Sequence, residues 1–298
     1  MTEWINQIII GLGLAGPILL MSVALSTVLA TSRVLNVTVG AVFSVSGVLA
    51  VVAADAGGTL LFLVVALVVP VVLYVLLDAV VLRPQRRRSH GEDEIGAFAA
   101  TLGVAIIITA LLAEATHSDI KALPATFLRI DHVWNVNGVQ VTEQAAILFG
   151  VAVVLACGWG LALKRTGIGK LCRAVAVNEE LARTLGVRTG RVILFSWVVS
   201  GLLTGVATVL IVLAGRSVSV ESGAVYLLVP FAAVVAGGMG SMLGAALASI
   251  FFGLAQAIVA NLTPWPGTQE AVVFGLLFLL LLLRPEGLVP TRQAIRPY

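Results

Sequence analysis

The feature that most constrains this chain is a series of long apolar runs, at 5–30, 34–54, 59–82, 95–113, 145–163, 192–214, 225–260 and 271–283. Most of them reach the roughly 20 residues that an α-helix needs to cross the hydrocarbon core of a bilayer. A stretch such as LLFLVVALVVPVVLYVLL (60–77) does not alternate apolar with polar residues, as the strands of a membrane β-barrel must. The pattern predicts an all-α, polytopic integral membrane protein with eight or nine transmembrane helices in a single domain over 1–298. Composition agrees, with 59% hydrophobic and 11% charged residues and a mean hydropathy of +1.08. A soluble domain of this length still exposes about a quarter of its unfolded surface, which so apolar a chain cannot supply. A cytosolic enzyme, a disordered regulator and a nucleic-acid-binding protein are excluded on that ground.

The first run exceeds the core of a signal peptide, and its flank MTEWINQ carries no Lys or Arg, so it reads as a retained span. The run 225–260 is too long for one span and is interrupted by GGMGS, Gly237 to Ser241. It is either two spans or a Gly-interrupted pair of half-helices, and both return the chain to the same side. The last run is short and borrows from Glu270 or from a locally thin bilayer.

Positive residues stay on the cytoplasmic side. Threading the spans alternately puts Arg33, Arg83, Arg86, Arg87, Arg88, seven cations in 164–191, Arg284, Arg292 and Arg296 on one side, fifteen of the eighteen Lys and Arg residues. Lys121, Arg129 and Arg216 fall on the other. The bias predicts an external N-terminus and a cytoplasmic C-terminus.

Two loops are long enough to hold structure. The external one, 114–144, contains VWNVNGVQV, in which Trp134 and Val136 face Val139 and Val141 across Asn137-Gly138, a preferred pair for a type I′ turn. A small external β-hairpin is expected. The internal loop, 164–191, places Leu171, Val175, Ala182 and Leu185 on one helical stripe, with Arg173, Glu179, Glu180 and Arg183 off it. This predicts one short amphipathic helix ended by Gly186.

Several motifs carry no chemistry. GLGLAG, Gly11 to Gly16, matches G-x-G-x-x-G, but it lies inside a span with no acid in 31–36, so it reads as close helix packing. Gly201 with Gly205 and Gly240 with Gly244 have GxxxG spacing and read the same way. No phosphate-binding G-x-x-x-x-G-K-[ST] loop occurs, so ATP is not hydrolysed by the chain itself. Glu114, His117, Asp119, Asp131 and His132 read as a solvated loop rather than a metal site. No metal and no cofactor is implied, and Cys157 and Cys172 read as free thiols. Asp78, near the cytoplasmic end of its span, is expected to reach Arg83 or solvent.

An ion-coupled pump needs an ionisable group near mid-membrane, and these spans offer almost none. Uncharged polar and small residues are better placed: Asn36, Thr38, Gly40, Ser44, Ser46 and Gly47 in the second span, and GGMGSMLG in the seventh. Gly-interrupted helices expose backbone groups at transporter substrate sites. Packing by small residues is an equally good account of both.

Four segments together resemble the permease subunits of branched-chain amino acid ABC importers: VLNVTVG (34–40), TLG (101–103), TGIGKLCRAVAVNEELARTLGV (166–187), and VVAGGMGSMLGAALASIFFGLAQA (234–257) with LLLRPEGL (281–288). The likeness runs over almost the whole chain. It implies a transport subunit, not itself an enzyme, that moves branched-chain amino acids or a related amino acid or amide by alternating access. Implied partners are a second permease, identical or homologous, two ATP-binding ATPase subunits, an external solute-binding protein and membrane lipid. Residues matching the family's ATPase-coupling segment are Gly169, Arg173, Ala174, Asn178, Glu179, Ala182, Leu185 and Gly186. Candidate pathway residues are Asn36, Thr38, Gly40, Thr101, Gly237, Gly238 and Ser241. The family often has an aromatic and a His where Val37 and Val39 stand, and an acid at Gln256. The principal alternative is a stand-alone ion-coupled secondary transporter, and a membrane enzyme or scaffold is a further one.

Overall fold

Helix α1 (Thr2–Ser32) is the axis on which the rest of the chain is hung, and small residues make that position possible. The structure is a computed structural model and describes residues 2–88, 94–124, 127, 133–136, 139–263, 265 and 267–289. A Cβ on Gly13 would lie 2.8 Å from Ala145, and one on Gly16 would lie 2.5 Å from the Leu148 carbonyl oxygen. Gly253 meets Ala15 equally closely on the opposite side. The glycines of GLGLAG are therefore contact points for two neighbouring helices, the small-residue packing expected where lipid offers no hydrophobic drive.

After the polar linker 33–38 comes α2 (Val39–Leu76), whose helical geometry is broken at Gly58 (φ 69°, ψ −159°). Only glycine adopts that conformation readily, and here it reverses the chain. Ser46 reaches Thr208 at 3.2 Å, while a Cβ on Gly205 would meet the Ala66 carbonyl oxygen at 2.7 Å. Residues twenty apart in α2, roughly 30 Å along a straight helix, thus touch one turn of the same partner. The two halves match the separate apolar runs 34–54 and 59–82, although the first becomes helical only at Val39.

A π-helical turn (Leu77–Leu82) and α3 (Arg83–Arg88) follow. Asp78 is buried and pairs with Arg86 rather than Arg83. The wider turn shifts side chains off the 3.6-residue register, so the expected neighbour is not the actual one. Next are α4 (Glu94–Thr116), β1 (Lys121–Ala122), β2 (Val133–Val136) and β3 (Val139–Thr142). Strands β2 and β3 pair antiparallel with Trp134 opposite Val141 and Val136 opposite Val139. Asn137-Gly138, Arg129, Asp131 and His132 lie outside the described residues, as do Arg292 and Arg296.

The chain continues through α5 (Glu143–Arg165), α6 (Gly167–Val177), α7 (Glu179–Thr184), α8 (Thr189–Gly215), β4 (Ser217–Val218), α9 (Ser222–Gly237), α10 (Met242–Leu262) and α11 (Thr268–Leu283). The run 225–260 is two helices joined by a turn at 238–241. A Cβ on Gly244 has no room beside the Gly237 backbone. Gly240 departs from expectation: nothing lies within 4 Å of its missing Cβ, and its φ of 82° shows that it serves the turn rather than helix packing. Six helices, α1, α2, α4, α5, α8 and α10, are long and apolar enough to cross a membrane, with α9 and α11 shorter but equally apolar.

Charged loops gather at two separate places. Lys121 pairs with Val218 in the β1–β4 ladder, and the Arg216 guanidinium donates to the Pro124 carbonyl at 3.0 Å. At the other place, Arg33 donates to the Val177 carbonyl at 3.4 Å, and Arg83 stands beside Gly190. The cations assigned to opposite faces by threading the spans are thus segregated in space.

Candidate functional site

The segment between α5 and α8 begins with a tight fold-back. The Thr166 hydroxyl donates to the Ala162 carbonyl at 2.6 Å and accepts from the Gly169 amide at 3.1 Å, capping α6. Gly169 packs on the Leu163 backbone, with a Cβ position 2.5 Å from Leu163 Cα, so a larger residue would push α6 off α5. The face of α6 turned inward carries Gly169, Cys172, Val175 and Ala176. Burial, opposed by a hydrogen bond to Ser196 and by Arg173, pushes the Cys172 thiol up.

The expected single helix is two helices. Asn178 leaves helical geometry (φ −158°, ψ 110°), ends α6, and caps α7 by accepting from the Leu181 amide at 3.0 Å. Glu179 and Glu180 follow at the N-terminus of α7, where the helix dipole favours anions. The far end is closed by Gly186 (φ 83°): its amide bonds to Arg183 O at 3.0 Å and that of Val187 to Ala182 O at 3.0 Å, the paired bonds of a Schellman stop. Gly186 ends the helix as expected.

The outward face also differs. Ala182 is buried, but Leu171, which was placed on the same stripe, is exposed, and Leu185 is 76% exposed. With Val177 and Leu181 at 65% and 58%, Leu185 forms an apolar surface outside the spans. Arg173 and Ala174 are exposed, and Arg173 donates to the Leu163 carbonyl. Glu179 pairs with Arg183 at 2.9 Å. This segment therefore has one face packed on α1, α5 and α8 and another that, among the described residues, is left exposed.

The pathway candidates fall into two groups. In the first, Asn36 is buried, and its Oδ1 accepts from the Thr38 amide at 3.0 Å and from the Thr38 hydroxyl. Thr101 is joined to them through the carbonyl of Leu35, at 3.2 Å. Gly40 lies directly against Gly223 of α9. In the second, Gly237, Gly238 and Ser241 make the α9–α10 turn. Ser241 caps α10 through the Gly244 amide at 3.1 Å, and the 288–289 backbone amides bond to Ala236 and Gly237 O at 2.9 and 3.1 Å. An apolar cluster of Leu25, Val39, Val234 and Ala245 adjoins both groups, Val39 following Thr38 in the chain and Ala245 lying against Gly237.

Among the described residues no group of three or more His, Cys, Asp or Glu could hold a metal ion. The arrangement sets a linker with buried polar residues and an exposed apolar surface on the same packed helices. Residues 7–282 match the family described as the permease component of branched-chain amino acid transport systems. The chain belongs to that family.

It is a permease subunit of an ATP-binding-cassette importer, a multi-pass membrane protein of the transport apparatus. The permease is 29% identical to the high-affinity branched-chain amino acid transport permease BraD of Pseudomonas aeruginosa over 218 residues, 72% of this chain and 68% of that one. It is 26% identical to LivH of Escherichia coli over 216 residues, again 72% and 68%. The galactofuranose transporter permease YtfT of E. coli is 26% identical over 238 residues, 77% of this chain and 63% of that one. No solved structure matches.

Sequence reasoning passed over the other polar residues of the permease interior. Tyr74 and Trp197 are fully buried and meet edge to face, with centroids 5.6 Å apart. The Tyr74 hydroxyl is 3.4 Å from that of Thr204 and has Asn36 beside it. Ser196, Ser200, Thr204 and Thr208 are all buried on α8. Their spacing of four, one face of a helix, is the signal that was available.

Proposed function

We propose that this permease imports branched-chain amino acids, or a related small amino acid or amide, by alternating access across the inner membrane. The observation that carries the reading is the α6–α7 segment, tethered by Gly169 and Cys172 yet presenting Val177, Leu181 and Leu185 outward. A chain with no phosphate-binding motif receives its energy from a partner, and an apolar face rimmed by Arg173, Arg183 and Glu179 is suited to a groove on an ATPase. The assembly is two permeases, two ATPases and an external solute-binding protein, with Gly169, Arg173, Ala174, Asn178, Glu179, Ala182, Leu185 and Gly186 forming the coupling segment.

In this reading the chain is one transmembrane domain with nine crossings, the two halves of α2 counting separately. The N-terminus is external, the C-terminus is cytoplasmic, and the β2–β3 hairpin caps the outer face. Segregation of Lys121 and Arg216 from Arg33, Arg83 and the 164–191 cations supports that threading. Asn36, Thr38, Gly40 and Thr101 lie on the path, with Gly237, Gly238 and Ser241 acting as a gate near the ATPase side. The solute class is that of BraD and LivH, both branched-chain amino acid transport permeases.

The test is ATP-driven uptake of labelled leucine into vesicles holding the chain and its co-purifying subunits, beside a chain with 170–186 replaced by a Gly/Ser linker. Recovery of an ATPase and uptake with the unmodified chain alone is expected. Uptake driven by an ion gradient without any ATPase would replace this reading with a stand-alone transporter. Uptake of a sugar but not leucine would move the solute class towards that of YtfT.

A further inference from the structure

A cleft of about 720 Å³ opens between α1, α5 and α10, and α6 forms one of its walls. Its walls are apolar, with Leu19, Val23, Val153, Leu161 and Ile250 among them. The hydroxyls that reach it are almost all engaged. Thr27 Oγ1 donates to Val23 O at 2.7 Å while accepting from Trp159 Nε1 at 2.9 Å. Thr31 bonds to Thr27 O at 3.0 Å, and Ser241 caps α10. Ser26 Oγ alone among them is buried without a partner.

Charge in the cleft is one-sided. Lys164, in the last turn of α5, and Arg173, on α6, are its charged residues, and no Asp or Glu lines it. Among the described residues neither cation is in an ion pair. A complementary occupant is an amphiphile, apolar along its length and anionic at the end near α6. A zwitterionic amino acid does not fit, because its ammonium would find no carboxylate and its polar body no free acceptors. Lys164 and Arg173 stand at the α5–α6 end of the cleft.

We propose that this cleft binds an anionic phospholipid, acyl chain between α1, α5 and α10 and headgroup phosphate against Lys164 and Arg173. Basic pockets between transmembrane helices at the membrane surface hold anionic headgroups in this way. The site shares Arg173 with the proposed coupling segment and Ser241 with the proposed gate, so it places a lipid against the wall that would couple to the partner.

Native mass spectrometry of the purified complex in equal phosphatidylglycerol and phosphatidylcholine tests it without turnover. The wild type is expected to retain the anionic lipid in preference. Lys164→Gln should lower that preference by about fivefold, the worth of one cation near such a surface. Gly160→Leu, whose Cβ meets only the terminal methyl of Met242, at 3.1 Å, should remove both adducts by filling the cleft. Equal retention of the two lipids by the wild type would overturn the proposal. So would a preference that survives both variants. A Cys157–Cys157 cross-link between two copies in a Cys172→Ser background would seat a second permease in the cleft instead.

Discussion

Arg33 reaches across to the end of α6 and donates to the Val177 carbonyl at 3.4 Å. The same residue sits at φ 55° just past α1 and opens the buried linker that holds Asn36. One side chain thus connects the last turn of α6 to the start of the proposed pathway. Arg33→Ala is expected to lower leucine transported per ATP hydrolysed several-fold while leaving assembly intact, and Arg33→Lys, which keeps a donor, should retain part of it. Equal transport ratios in both variants and the wild type would show that the bond transmits nothing.

Charge reversal on the outer face of α6–α7 separates docking from folding. The Glu179–Arg183 pair is an exposed i,i+4 contact, worth about 0.3–0.5 kcal/mol at most. Glu179→Arg, which also loses the anion at the N-terminus of α7, should therefore lower thermal unfolding only slightly, yet uncouple ATP hydrolysis from uptake, and Arg173→Glu, which gives up the bond to the Leu163 carbonyl, should likewise uncouple. Normal uptake by both would remove these residues from the coupling segment.

Much of this architecture is legible in the sequence, because lipid imposes helix on any long apolar run. What escaped detection has physical reasons. Val175 and Ala182 are seven residues apart and fit one helical stripe, which masked the N-cap signal of Asn178 followed by two glutamates. Leu185 shares a sequence stripe with buried Val175 and Ala182 yet is exposed, because hydrophobicity alone does not show which apolar residues turn to the core. The π-helical turn at Leu77–Leu82 moved the partner of Asp78 from Arg83 to Arg86, a register change no periodicity displays. Conversely, the α8 hydroxyls at 196, 200, 204 and 208 were visible, but in a membrane such residues bond to their own backbone, as Thr208 does to Thr204 O at 2.9 Å.

Glycines in the α9–α10 hairpin should differ in their tolerance. Gly244→Val drives carbon into the Gly237 backbone and is expected to cost about 1–3 kcal/mol through overpacking. Gly240→Ala meets nothing and pays only for its positive φ, about 1–2 kcal/mol. Thermal unfolding in detergent should rank Gly244→Val below Gly240→Ala, and the reverse order would mean that the turn, not the crossing, limits stability.

Burial pushes the Cys172 thiol up, so at pH 8 it holds less thiolate than a free cysteine, and thiolate is the reactive form. Alkylation by a membrane-permeant maleimide should be slow there and accelerate as pH rises through the ordinary thiol range. The linkage has a definite sign: both folded and unfolded thiols are neutral below that range, and above it the unfolded chain loses its proton first, so stability falls with rising pH. Cys172→Ser should remove that alkaline loss. Fast labelling at neutral pH would show that α6 leaves α8 in the resting protein.

Trp197 offers the sharpest separation of structure from transport. Among the described residues its Nε1 and Ser200 Oγ are buried without a partner, while its ring is held against Tyr74. Leaving a donor unpaired in the interior costs about 1–3 kcal/mol, a standing penalty in this conformation. On the proposed alternating-access cycle, opening of the path beside Asn36 would give these donors water or solute and relieve the penalty. Trp197→Phe keeps an aromatic ring at Tyr74 and deletes the N–H. The variant is expected to unfold at or above the wild-type temperature yet transport leucine several-fold more slowly, because the open state loses a bond that the closed state never made. Unchanged uptake with unchanged stability would mean that Trp197 only packs.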